Sequence, residues 1–345
     1  MILTWALVVA VCGSAVLLRA RWPVVAPAGV ALAVGITCAM IPVPIHIPSA
    51  VLVGAEGVLF ASVGMRVGRA GRPLWPRELL PRLALGELAA AVGTGAVVWL
   101  STHRLLASVV LGVGLAVSSV AVVGAAGPGA TEEVLVVAAS DDLVGLGLLG
   151  WALPKAALEG FLGVGLAVLG AVGSRMRAPW ASAVAGVGAA ILLVGLTLGA
   201  RPALFVPLGG LVVAVAVARA VRVPRGVARG VVVAGRDLAG PVFFFAQGAR
   251  AHVGGAGQLL VAVGLLGAIA ASRAVWWGAK GGGARASATT ARGVVAFVAL
   301  GVAQGRDLVG ARLVGAVTLA VFGSVVVAAV IVEVAALRRA LDEAS

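Results

Sequence analysis

The 345-residue chain has no tyrosine, two cysteines and three histidines, and only 11% of its residues are charged. So little polar surface cannot cover the core of a soluble domain of this length, which excludes a soluble globular protein. Cys12 and Cys38 both fall inside apolar stretches, which reads as two small core residues and not as a disulfide or metal pair. His46, His103 and His252 fall between apolar stretches, and no His/Cys/Asp cluster lies within one. An enzyme built on a metal or nucleophile constellation is therefore not expected. Those histidines read as solvated loop residues, with an external pH sensor as the alternative. Lys155 and Lys280 are the only lysines, a bias that follows genome composition.

What the chain does have is apolar length. Hydrophobic residues make up 61% of it, and the mean hydropathy is +1.14. The apolar stretches run about 17–25 residues, enough to cross roughly 30 Å of hydrocarbon as helices. The short alternation of a membrane barrel is missing. The expected fold class is an all-α polytopic membrane protein. Reading from charge to charge gives thirteen spans, near 2–18, 24–42, 49–65, 83–100, 105–124, 132–153, 156–173, 180–200, 202–221, 231–249, 256–277, 289–305 and 310–335. Trp22, Trp99, Trp151, Trp180, Trp276 and Trp277 fall at span ends, at headgroup level. The first stretch lacks a basic leader and reads as a span, not a cleaved signal. After the last span only "LRRALDEAS" remains, so no soluble regulatory domain is expected.

The formal net charge of +13 belongs to the loops. No basic stretch is interleaved with aromatic residues, so nucleic acid is not an expected partner; the lipid bilayer is. Odd-numbered loops carry the arginines: Arg19 and Arg21; Arg66, Arg69, Arg72, Arg77 and Arg82; Arg175 and Arg177; Arg219, Arg222, Arg225 and Arg229. Lys280 and Arg285, then Arg338 and Arg339 in the tail, continue the series. By the positive-inside rule the N-terminus is outside and the C-terminus inside, in what reads as a bacterial inner membrane. Glu132 and Glu133, on the inner side, count little in that rule.

A repeat lies under the pattern. "FASVGMR", Phe60 to Arg66, and "FFAQGAR", Phe244 to Arg250, both read F-x-x-x-G-x-R and end the third and tenth spans. An offset of seven spans inverts the second copy, the plan of many secondary transporters. The expected units are about 49–153 and 231–335, with helices 156–221 between them as a dimerisation or scaffold bundle. Such folds place the site at mid-membrane, where helices of the two repeats are broken. The fifth span supplies Ser118 and Ser119, then Gly124, Gly127, Pro128 and Gly129; the twelfth supplies Arg292, Gly293, Gly301 and Gln304. Two readings stand: broken crossing helices, or small residues that allow close packing.

The sixth span holds Asp141 and Asp142, side by side in "AASDDLVGLG". A carboxylate in hydrocarbon is costly, so intramembrane acids usually face a cavity and usually have function. Neighbours project about 100° apart on a helix, so the two cannot share one role. Glu56 and Glu87 also fall in spans and are read as partners of Arg292, as lining of an access funnel, or as acids that snorkel or are buried neutral. Asp237 is placed near the inner end of the tenth span, and Glu159 near the outer end of the seventh as a structural residue.

In order, "SSVAVV", "ASDDLVGL", "PVFFFAQG" and "ARGVVAFVALG" resemble the monovalent cation:proton antiporter superfamily, over nearly the whole chain. The resemblance implies exchange of Na⁺ or K⁺ for protons by alternating access, without another cofactor, in a homodimer. It implies that Asp142 is the main ion and proton carboxylate, Asp141 its companion, and Ser118 and Ser119 part of the broken crossing. Two departures stand out. The lysine that many members carry before the second broken helix falls here near Gly264 to Gly267, where there is none; Lys280 reads as a loop residue. The glutamate that often follows Arg-Gly is Val294. Arg273 and Arg292 are left as the candidate charge partners. The alternative is a sodium-coupled symporter of an organic anion on a related fold, although no polar pocket for such a solute is evident.

Overall fold

A computed structural model of the chain describes residues 2–21, 27–41, 45, 47–70, 80–118, 132–151, 157–176, 178–197, 202–221, 223–251, 253–277 and 292–344. Among them the chain is all helix and turn, with no strand. The helices are α1 (Ile2–Arg21), α2 (Pro27–Ala39), α3 (Ser49–Ala70), α4 (Leu80–Thr102), α5 (Leu105–Ala116), α6 (Glu132–Trp151) and α7 (Ala157–Gly173). There follow α8 (Ala178–Thr197), α9 (Pro202–Ala220), α10 (225–249), α11 (Ala256–Trp277), α12 (Val294–Gln304) and α13 (Ala311–Ala344). Within α10, Arg225–Val233 passes through a π-helical turn, Ala234–Ala239, into Gly240–Ala249 without leaving helical dihedrals.

Each expected span has its helix. Ser49–Ala70, Leu85–Thr102, Trp180–Thr197 and Ala311–Val330 are long and apolar enough to cross a membrane by length and composition, with shorter apolar helices beside them. Large apolar side chains lie outside as well as inside: Leu17, Leu105 and Leu260 are each more than 70% exposed. In water that distribution would be ruinous, whereas against acyl chains it is unremarkable. The chain is thus an integral membrane protein.

Several helices outlast their apolar spans. α3 continues past residue 65 to Ala70, α10 starts at Arg225 and not at 231, and α13 continues to Ala344. The α13 overrun, ALRRALDEA, is built of strong helix formers that need no hydrocarbon to stay helical. Those of α3 and α10, RVGRA and RGVARG, hold three glycines and are packed instead, Gly68 against α9 and the start of α10 against α3.

Two long packing seams organise the molecule: α3 lies along α9, and α2 lies along the second half of α10. Both depend on a glycine of the F-x-x-x-G-x-R segments. A Cβ on Gly64 would come within 2.4 Å of Leu211 O on α9. One on Gly248 would come within 2.5 Å of Leu32 O on α2, where Gly35 faces it in the same way. Backbones touch at these crossings, and no larger residue fits. The π turn of α10 packs against α3, with Gly235 against Ser62. There the Arg236 Nε and Nη2 donate to the two oxygens of neighbouring Asp237, both at 2.5 Å. Asp237, placed near an interface by sequence, is therefore ion-paired and 17% exposed.

Candidate functional site

α5 and α12 are too short to cross the bilayer. Twelve and eleven residues span about 18 and 17 Å at 1.5 Å per residue, little more than half of the hydrocarbon thickness. α5 ends as Val117 turns extended (φ −70°, ψ 127°), just before the two serines. Serine competes with the helix for backbone partners, which makes this a natural stop. α12 starts after an equally non-helical Gly293. Of the two readings of the fifth span, the helix ends where a break is expected. Ser119, Gly124, Gly127, Pro128 and Gly129 lie outside the described residues.

The half-helices lie against each other. Near the end of α5, a Cβ on Gly114 would come within 2.2 Å of the Cβ of Ala299, so only glycine admits this crossing. At the far end, Arg104 Nη1 donates to the carbonyl of Asp307, joining the turn before α5 to the turn after α12. His103 (φ 52°) and Asp307 (φ 54°) are the two left-handed residues that stop α4 and α12. His103 is a helix-terminating residue of that turn, with its ring edge-on to Trp99 at 5.6 Å. His46 and His252 lie outside the described residues.

The aspartates sit beside the end of α5. They are the tenth and eleventh residues of the 20-residue α6, each only 3% exposed. That burial rules out a frayed span end in water. α6 packs against α3, α5, α7 and α12. Ser118, itself fully buried, donates its Oγ hydrogen to Oδ2 of Asp141. The preceding Ser140 turns back on its own helix, donating to Val136 O at 2.8 Å. The sequence-predicted Ser118 and Asp141 are thus brought together, and Asp142 follows one helical step, about 100°, around α6.

A second buried cluster is built from α10, α12 and α13. Arg292 is completely buried at the start of α12. Its backbone N–H donates to Ser324 Oγ on α13 at 2.9 Å, while that hydroxyl donates to Val321 O at 2.7 Å. Phe243 and Phe244 of α10 meet Phe297 of α12 edge-to-face, with ring centroids 6.1 and 5.9 Å apart. The segments "PVFFFAQG" and "ARGVVAFVALG" are therefore in contact. Ser324 and Phe297 were not singled out by sequence; the available signal was weak, since Ser324 is one of two hydroxyls, with Thr318, in the apolar run of α13.

The remaining candidates separate. Glu56 is buried in α3, 4% exposed, and its Oε2 has no hydrogen-bond partner among the described residues. The field of Arg250, from the end of α10, reaches it. Glu87 is half-buried on α4, which packs against α5 and α11. Arg273 lies in the last turns of α11, but its side chain is outside the described set, as is that of Glu159; Lys280 is outside it altogether. Gly264 faces Val97, and nothing lies within 4 Å of where a Cβ of Gly267 would be. Among the described residues, no group of three His, Cys, Asp or Glu is arranged to hold a metal.

Thirteen helices among the described residues, with two half-length helices packed at a buried carboxyl pair, make the architecture of a secondary-transporter fold. No protein-family profile matches the chain, and neither does any curated protein. Among solved structures it is similar to the sodium proton antiporter MjNhaP1 from Methanocaldococcus jannaschii. The identity is 16%, the TM-score 0.50, and 96% of each chain is covered. The likeness is one of fold, and it extends over essentially the whole chain.

Proposed function

We propose that the chain is a secondary active transporter that exchanges a monovalent cation, Na⁺ or K⁺, for protons by alternating access. One observation carries the reading: two adjacent aspartates, each 3% exposed at mid-helix in α6, stand at the broken end of a half-helix whose Ser118 holds one of them. A buried carboxylate needs a partner for its charge, and proton and cation are alternative partners. Cation uptake requires the deprotonated acid, so the two compete for one site, and that competition is the exchange.

Asp142 takes the transported ion or proton. Asp141, held by Ser118, is its companion and orients the site, with Ser119 alongside in the broken crossing. Arg292, buried at the start of α12, supplies positive charge to the centre; Arg273, Glu56 and Glu87 are the further candidate charge partners. The fold shared with a sodium proton antiporter supports this reading. So does the exchange of the two main packing seams: a shift of seven helices carries α3 into α10 and α2 into α9, and so swaps α3–α9 with α10–α2. That is the relation expected of inverted repeats, with α2 and α9 as equivalent helices flanking the units at about 49–153 and 231–335. Helices 156–221 then form the scaffold of a homodimer, with the N-terminus outside and the C-terminus inside a bacterial inner membrane.

The test is a dye-based assay in proteoliposomes, with Na⁺ and K⁺ pulses at several pH values and the membrane potential clamped. Wild-type protein moves protons on a cation pulse; Asp142→Asn does not. Full exchange by that variant would sink the assignment. Uptake of an organic anion with sodium, and no antiport, would replace it with a symporter.

A further inference from the structure

Glu56 is the eighth residue of α3, about 10 Å from the end where that helix begins. It is 4% exposed, and its Oε2 accepts no hydrogen bond from any described residue. A carboxyl buried in this way either holds a proton or needs positive charge nearby. It shares a buried stripe with Leu52, Phe60, Val63 and Val67, about 100° round α3 from the glycines that meet α9.

The charged groups that neighbouring helices bring to α3 differ in depth. α10 runs antiparallel to α3, with Gly235 against Ser62 and Gly240 against Leu59, so its last residues come up beside the start of α3. There the field of the exposed Arg250 reaches Glu56. An arginine stem can lie along apolar helices while its head stays near water. The Arg236–Asp237 ion pair follows Gly235, near the level of Ser62 and about 9 Å deeper than Glu56. On α9, Arg219 follows Ala218, which faces Gly68 about 18 Å deeper, and Arg225 and Arg229 begin α10 at that same far end. α6 brings Asp141 and Asp142 at its midpoint, about 14 Å from its ends. Counted along their own helices, Glu56 is thus nearer the surface than the pair.

The position has no acidic counterpart. Glu56 precedes Phe60 of the first F-x-x-x-G-x-R segment by four residues, and the residue four before Phe244 is Gly240. Two access routes related by inverted repeats therefore differ, with a carboxyl on one of them alone at this position.

We propose that Glu56 is a second proton-binding site, on the route by which protons reach Asp142 from the side where α3 begins, with Arg250 meeting the charge of its carboxylate. Water on that side gives Glu56 a proton. Glu56 yields it towards the Asp142 carboxylate as the cation leaves, and remains as a carboxylate in the field of Arg250. The proton site stands by itself; its service to Asp142 rests on the exchange proposed above.

Infrared difference spectroscopy of the full chain, stepped through pH, reads each protonated carboxyl by its carbonyl band. One band is expected to be lost in E56Q and kept in D142N. R250Q should move the pH at which that band disappears, and the charge-retaining R250K should leave it in place. If E56Q does not fold, the contrast between R250Q and R250K decides, since Arg250 is exposed. In proteoliposomes, E56Q should alter the dependence of exchange on the pH of the side where α3 begins, and not on that of the opposite side. Full exchange by D142N with the Glu56 band present would sink the transport reading and uphold the proton site. The proposal is overturned if E56Q shows every wild-type band, if R250Q titrates where the wild type does, or if E56Q changes neither pH dependence or both alike.

Discussion

A single hydroxyl in α13 holds the start of α12 in place. Ser324 accepts from the backbone N–H of Arg292 and donates within its own helix, so it ties two elements while leaving no bond of its own unmade. Removing it leaves a buried N–H without that acceptor, at a cost of about 1–3 kcal/mol. Ser324→Ala should therefore lower the thermal midpoint clearly more than Ser272→Ala, because Ser272 bonds only to Ile269 O of its own helix. Equal losses would show that the link contributes nothing. At the same scale, the aspartate pair was legible in the sequence because two acids stand out in an apolar run. Its contact with Ser118 was not, because the two residues are separated by 23 positions. No periodicity records which helix end will meet which helix face.

Among elements, the half-helices were the most readable and the π turn the least. Two serines followed by glycines and a proline announce that a span will stop, and α5 stops there. "AGRDLA" announces nothing, because a π turn uses the same dihedral region as an α-helix and differs only in its bonding register. The overruns of α3, α10 and α13 escaped hydropathy for a different reason, since they are set outside the apolar runs, by helix propensity in α13 and by packing in α3 and α10. The α5–α12 crossing makes its own prediction. Gly114→Ala places a methyl group on top of Ala299, and overpacking of this kind costs about 1–3 kcal/mol. Gly267→Ala, with nothing within 4 Å, should be neutral or gain up to about 1 kcal/mol from helix propensity. Thermal unfolding reads both, and Ala299→Gly should restore the Gly114→Ala protein. Failure of that rescue would place the strain somewhere other than this crossing.

For the whole molecule, the charge alternation of the loops and the lengths of the apolar runs point to thirteen helices, the number found among the described residues, and the fold is similar to that of MjNhaP1 over 96% of both chains. The packing seams were beyond the reach of sequence, because they join helices far apart in the chain. Arg104 and Asp307 are 203 residues apart, yet they are bonded where α5 begins and α12 ends. That bond has a mechanical consequence. Fastened at its tip by Arg104 and Asp307, and seated at its inner end by Gly114 against Ala299, the pair behaves as a splinted lever. Turning as one piece keeps both contacts, whereas shear would break the bond at the tip. On the proposed exchange, a thiol-specific bifunctional crosslink about as long as an arginine side chain, between Arg104→Cys and Asp307→Cys in a chain whose own two cysteines are replaced, should leave cation-driven proton movement at the level of the uncrosslinked protein. If crosslinking stops transport, the two halves slide past each other during the cycle.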